Sequence, residues 1–424
     1  MFLTLFRKEC VQYLKSITYY IFVICLVIDF LTQMGTFETV DKPEPGQEDY
    51  GYVRTENRDI IMEEALNGLV DEYERGEYTT YPIGFYKRVV LDEEEQKQVE
   101  ECILRITGLS SGELKKALDD RNAEIDAFIN QNGEDGSPVM ANEFPDVGLT
   151  VKEGYSYDEF LKEMKKIDEL LGGGSDYSEE ELQYAEEPKT YEQAMEEYNS
   201  FIKKDKVTNA YARLFCDYMG IMLAILPVFL AVTRALKDRK AQAEQVIYMR
   251  RAGSFTVVVS RYAAAAFMVV VPVLILSCYT LTQAVYYARS IHVEYDALAF
   301  VKYIGFWLFP TILVSLSVGF FLTELTDSAV AVLVQGAWWF VSIFLNTGNL
   351  VGTAGWNLIP RFNRIGGYDI YEQMQEQLMR NRFFYTGMAL ALLLLTVWIY
   401  SKKRKGEFVS VGTMLQNRKS KLEA

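Results

Sequence analysis

Six stretches of this chain are nearly free of charge for about the length that crosses a lipid bilayer. Roughly 20 helical residues span a ~30 Å hydrocarbon core. The stretches are Ile17–Met34, 214–232, 262–287, 303–322, 329–345 and 383–400. Tyr19, Tyr20, Tyr262, Tyr286, Tyr287, Tyr303, Tyr385 and Tyr400 sit near their ends, where amphipathic rings favour the membrane–water boundary. The pattern predicts an α-helical polytopic membrane protein with transmembrane helices over 17–34, 211–234, 259–287, 301–323, 329–346 and 383–400. The competing reading, buried core helices of a large soluble protein, does not account for six such runs.

Residues 35–210 have a different rhythm. Ser110-x-x-Glu113, Ser156-x-x-Glu159, Ser178-x-x-Glu181 and Thr190-x-x-Gln193 each match the capping box, in which side chains satisfy orphan backbone donors at a helix start. Leu114, Leu118, Ile125, Phe128 and Ile129 then recur at helical spacing, as do Phe160, Leu161, Met164, Ile167, Leu170 and Leu171. Residues 133–138 and 172–175 read as breaks, and β-branched and aromatic residues predict a short strand within 78–91. This inserted domain is expected to be mostly helical with some strand. The Gly-Gly-Gly-Ser run at 172–175 lacks the Gly-Lys-Ser/Thr of a phosphate loop and reads as a turn.

Charge sharpens the division. Residues 37–206 hold 44 acidic and 19 basic side chains, and the other 254 hold 14 and 24. An acidic block set into a basic, apolar frame excludes a single soluble globule and gives no basic footprint for nucleic acid. Cys102 is alone in the block, so no internal disulfide is expected there, and the single His292 offers no metal-ligand spacing. No carboxylate pair has a partnering base or nucleophile, so no enzyme is expected in this block. With the N-terminus inside, residues 1–16, 234–261, 323–328 and 401–424 carry 17 Lys and Arg, against 6 in 288–302 and 346–382. Basic loops stay in the cytoplasm. Both termini are therefore expected inside, the acidic block outside, and 17–34 is read as an uncleaved anchor rather than a signal peptide.

Arg7, Lys8 and Glu9 open the chain. Between the second and third spans lies Asp238-Arg-Lys-Ala-Gln-Ala-Glu-Gln-Val-Ile-Tyr248, and Ser260-Arg-Tyr262 begins the third. By composition this is a short charged helix beneath the membrane. With these motifs the chain resembles the permease subunit of an ABC-2 type ABC exporter, and the resemblance implies a bacterial plasma membrane. It further implies a coupling helix that docks into a cytoplasmic ATPase, with Asp238, Arg239, Glu244, Val246, Ile247, Tyr248 and Arg250 as the coupling residues. Gln242-Ala243 replaces the family's common Gly-Thr. The segment 347–382 is implied to form re-entrant or interfacial helices, a plain external loop being the alternative.

No GxxxxGK[ST] occurs in the chain, so ATP and Mg are expected on the partner subunit and no cofactor here. The implied partners are two copies of the ATPase, a second permease (an identical or a related chain), and membrane lipid. A non-transporting sensor or secretion scaffold with an external binding domain is the alternative. Asp29 and Asp217 are carboxylates within spans, where charge is expensive. They are read either as snorkelling or, with Arg213, as lining a translocation path. Glu324 and Asp327 are expected to be solvated.

Overall fold

A computed structural model describes residues 1–82, 86–132, 148–344 and 350–408. Contacts divide the chain into two compact units, Met1–Pro43 with Met195–Ala424, and Glu44–Ala194. In chain order the helices and strands begin with α1 (Phe2–Leu14) and α2 (Ile17–Met34). There follow β1 (Tyr52–Thr55), α3 (Arg58–Arg75), β2 (Tyr78–Thr80), β3 (Lys87–Val89), α4 (Glu93–Thr107), α5 (Ser111–Asn132), α6 (Tyr157–Leu171) and β4 (Ala185–Pro188). The remainder is α7 (Tyr191–Lys203), α8 (Thr208–Leu223), α9 (Leu226–Lys240), α10 (Glu244–Tyr248), α11 (Ser254–Ser290), α12 (Ala299–Tyr303), α13 (Phe309–Thr326), α14 (Val330–Phe344), β5 (Val351–Thr353), β6 (Arg361–Phe362) and α15 (Tyr368–Arg404).

The acidic unit packs α3, α4 and α6 around Leu66, Leu69, Val99, Ile103, Phe160, Met164 and Ile167. Reciprocal boxes form at Ser156–Glu159, Ser110–Glu113 and Thr190–Gln193. Asp92 and Glu95 make a further box that a search for Ser and Thr overlooks. Ser178 instead precedes a single 3₁₀ turn, Glu181–Gln183, and no α-helix follows it. The expected strand is a hairpin, β2 against β3, and β1 pairs antiparallel with β4. The expected break at 133–138 and the side chains of Phe128 and Ile129 lie outside the described residues.

The glycine run is a turn with a steric demand. Gly174 has φ +72, and a Cβ there would come within 2.8 Å of the Pro82 Cα and 2.9 Å of the Tyr81 carbonyl carbon. Tyr81 N–H donates to the Gly174 carbonyl at 2.6 Å, and Asp168 accepts from Ser175 N–H and Oγ at 2.8 and 2.7 Å. Only glycine fits so close to another backbone in that conformation. Inside the unit, burial would raise the Glu163 carboxyl, but hydrogen bonds from Lys166 and Arg105 outweigh it and hold the group below its usual value. Burial, with the Glu163 charge nearby, pushes the Cys102 thiol up to about 12.

Among the described residues of the other unit four helical stretches are long and apolar enough to cross a membrane: Ile17–Met34, Ser254–Ser290, Ala299–Thr326 and Tyr368–Arg404. The second expected span is the pair α8 and α9, bent by 41°. Pro227 at the start of α9 favours a break there, because it brings no N–H and its ring would collide with the carbonyl four residues back in an unbroken helix. The expected span 329–346 is represented by α14, a 15-residue helix. At 1.5 Å per residue it covers only ~22 Å; residues 345–349 lie outside the described part. The chain Ala299–Thr326 carries a π turn at Ile304–Leu308, just before Pro310. The implied separate helices of 347–382 are not seen in its second half: α15 runs unbroken from Tyr368 into the last apolar run. The segment before it folds as a small antiparallel hairpin, β5 with β6.

Candidate functional site

Two polar clusters sit at opposite ends of the apolar unit. The first gathers around α10. Arg234 and Asp238 lie four apart on α9, so they share a helix face, and they meet Glu9 of α1 and Arg261 of α11. Arg234 donates to Glu9 through Nε and Nη2 at 2.5 and 2.7 Å, and its Nη1 lies 3.2 Å from Asp238. Arg261 Nη2 donates to Asp238 at 2.5 Å, and its Nε lies 3.5 Å from Glu9. Two cations and two anions thus alternate in a mostly buried square joining three helices.

A second knot adjoins it. Asp327 ends α13 in the left-handed region, φ 57, and this sharp turn aims its carboxylate at two cations. Lys403 of α15 donates to it at 2.6 Å, Arg239 of α9 pairs with it, and Lys403 also reaches Glu324 at 3.3 Å. The expectation that Glu324 and Asp327 are solvated is therefore corrected. Their cationic partners lie on α9 and α15, distant in sequence, and folding brings them together.

α10 itself is pinned from one side. Tyr248 meets Tyr400 edge-on at 5.4 Å, and the Arg261 guanidinium sits 5.8 Å from the Tyr400 ring. Burial pushes the Tyr248 phenol above its usual value. Arg404 donates to the carbonyls of Ala252 and Arg250, both at 2.6 Å. Among the expected coupling residues, Asp238, Arg239 and Tyr248 thus turn toward other helices. Glu244 and Ile247 are half-buried, while Val246, Met249, Arg250 and Arg251 are exposed. Met249 and Val246 are 83% and 60% exposed, a free apolar pair at the tip. Glu9, Arg261, Asp327 and Lys403 had no place among the expected site residues.

The opposite end is built from closed pairs. Arg213 is wholly buried, bidentate to Asp205 at 2.5 and 2.6 Å, donates to the Gly366 carbonyl, and lies over the rings of Tyr371 and Phe362. Asp217 accepts from Arg361 at 2.9 and 3.1 Å and from Phe362 N–H at 2.6 Å. Asp217 and Arg213 are thus each held by another partner, not by one another. Asp29 is half-buried, with Oδ2 enclosed and without a hydrogen-bond partner among the described residues. Sequence reasoning also missed Arg382, which donates to the carbonyls of Trp307 and Leu358 and to Thr311 and Asn381. The one signal was an arginine beside the last apolar run. Asn381 in turn donates to the carbonyls of Ala354, Gly355 and Asn357, so this adjacent pair ties the hairpin segment to α15.

Among the described residues no group of His, Cys, Asp and Glu could hold a metal ion. The arrangement has the parts of a mechanical joint, with charges shared among several helices beneath an exposed tip. No curated protein and no solved structure matches the chain. A family profile described as ABC-2 family transporter protein matches residues 15–363, most of the chain. The chain belongs to that family, and is a membrane-embedded component of an ABC transporter.

Proposed function

We propose that the chain is the permease subunit of an ATP-driven exporter, worked by a separate cytoplasmic ATPase that grips the α10 region. The observation that carries this reading is the exposed pair Val246 and Met249 on a tip held to α15 by Arg404 and by the Tyr248–Tyr400 contact, and continuous with the end of α9, whose Arg234, Asp238 and Arg239 pair with α1, α11 and α13. A force applied at the tip reaches five helices through short polar contacts. The family match supports an ATPase partner, and the charge distribution supports six spans, with α8–α9 and α14 as the second and fifth, both termini in the cytoplasm and the acidic unit outside. ATP and Mg act on the partner, present in two copies, and a second permease subunit completes the path through the lipid. Asp29, with an oxygen unpartnered among the described residues, is the better candidate for the path; Arg213 and Asp217 serve it by holding the outer ends.

Docking is tested at the tip, where substitutions leave the buried contacts intact. Val246→Glu with Met249→Glu should abolish co-purification with the ATPase while membrane insertion and thermal stability stay at the parent level. Undiminished co-purification of that double variant overturns the assignment of α10 as the docking element.

A further inference from the structure

The bend between α8 and α9 interrupts a helix pair that is apolar enough to cross a membrane. A helix broken at membrane depth exposes carbonyls that lipid cannot satisfy, so such breaks persist only where protein supplies donors. Here α14 supplies them. Gln335 Nε2 donates to the Ala224 carbonyl at 2.6 Å, and Trp339 Nε1 donates to the Ile221 carbonyl at 2.8 Å. The two residues are four apart and share a face of α14. Gln335 is fully buried, and its Oε1 has no hydrogen-bond partner among the described residues. A buried amide left half-satisfied is costly, so its presence calls for a reason beyond packing.

The two halves are anchored separately. α8 is fixed by Asp217 to Arg361 and by Arg213 to Asp205. α9 is fixed by Arg234 to Glu9 and by close approach to α13, where a Cβ on Gly319 would lie 2.6 Å from the Ala231 Cβ. On the Lys240 side of the bend, an apolar groove of about 650 Å³ runs between α9 and α14, lined by Phe229, Leu236, Val330 and Leu333 among others. The helices are therefore bonded together at the bend, and beyond it they touch through Val232 and Ala331 alongside the open groove.

We infer that Ala224-Ile225 is a hinge and that Gln335 and Trp339 are positioning residues that latch it. Movement of α9, carrying α10, pivots there and changes the width of the groove, while α8 stays with the hairpin end. The hinge rests on the fold alone. Its use in transport rests on the proposed function, so the test reads the bend directly and leaves the ATPase out.

The experiment uses the full chain without native cysteines, reconstituted in lipid nanodiscs, with spin-label pairs read by pulsed electron paramagnetic resonance. Lys240→Cys with Phe340→Cys reports α9 against α14; Leu298→Cys with Arg380→Cys reports the hairpin end. In Gln335→Met/Trp339→Phe the first distance distribution should shift and broaden, and the second should match the parent. Adding Pro227→Ala, which restores a backbone N–H, should narrow the first distribution to a single peak. An unchanged first distribution overturns the latch. Broadening of both pairs together, or no narrowing on Pro227→Ala, overturns the hinge and leaves Gln335 and Trp339 as ordinary packing residues.

Discussion

The two ends of the apolar unit hold their charges in different ways. At the hairpin end each buried carboxylate has one guanidinium: Asp205 with Arg213, and Asp217 with Arg361. Both carboxylates and the Arg213 side chain are wholly excluded from solvent. At the α10 end the central carboxylates are shared, Glu9 between Arg234 and Arg261 among them. Asp238 serves Arg234 and Arg261, Asp327 serves Arg239 and Lys403, and the side chains keep some access to water. A closed bidentate pair has one low-energy arrangement, and breaking it strands a charge in a poor solvent. A shared set can exchange partners with little net loss. The first kind of construction fixes a position; the second permits movement between positions.

The largest effect is expected where that contrast is starkest. Asp217→Ala removes the acceptor of both Arg361 and the Phe362 N–H and should cost about 3–5 kcal/mol, the usual range for one partner lost from a buried pair. Thermal unfolding of the purified full chain in detergent measures it. A loss under about 1 kcal/mol would place Asp217 in the category of surface pairs and dissolve the distinction between the ends.

These pairings were not legible in the sequence, whereas much of the framework was. Membrane-spanning length is a local property, and Ile17–Met34 follows directly from a run of apolar residues. Capping is equally local, which is why Ser156 with Glu159 marks the start of α6; Asp92 with Glu95 obeys the same chemistry under a different first residue. Glu9 and Arg234, by contrast, stand 225 residues apart, and Asp217 and Arg361 stand 144 apart. Nothing in spacing or composition pairs them. The broken second span lies between these cases. Pro227 is visible, but a proline alone does not separate a mild kink from a 41° break; the donors on Gln335 and Trp339 do, and they come from another helix.

A smaller effect is expected at the α10 end. Glu9→Gln takes one anion from the square, but Asp238 still faces both guanidiniums and the amide oxygen still accepts from Arg234. The expected cost is about 1–2 kcal/mol, within the range for a hydrogen bond to a charged group. The same melting assay reads it. A cost equal to that of Asp217→Ala would show that the square, too, has only one arrangement.

The smallest effect on stability should come from Arg239→Gln. The Arg239 side chain is 36% exposed, and Lys403 remains to hold Asp327 at 2.6 Å, so the loss should be at most about 1 kcal/mol, as for other partly solvated pairs. Its effect on the proposed coupling should be the reverse. Arg239 is the contact from the end of α9 to the turn after α13, and α10 begins a few residues later, so removing it loosens the tip from one of its helices without loosening the helices from each other. The measurement pairs the melt with ATP hydrolysis by the co-purified partner, with and without the permease. A parent-like melt accompanied by loss of the permease's influence on hydrolysis separates holding from moving within a single side chain. A large drop in stability with that influence intact would mean that the α10 end is as fixed as the hairpin end, and that the motion resides elsewhere.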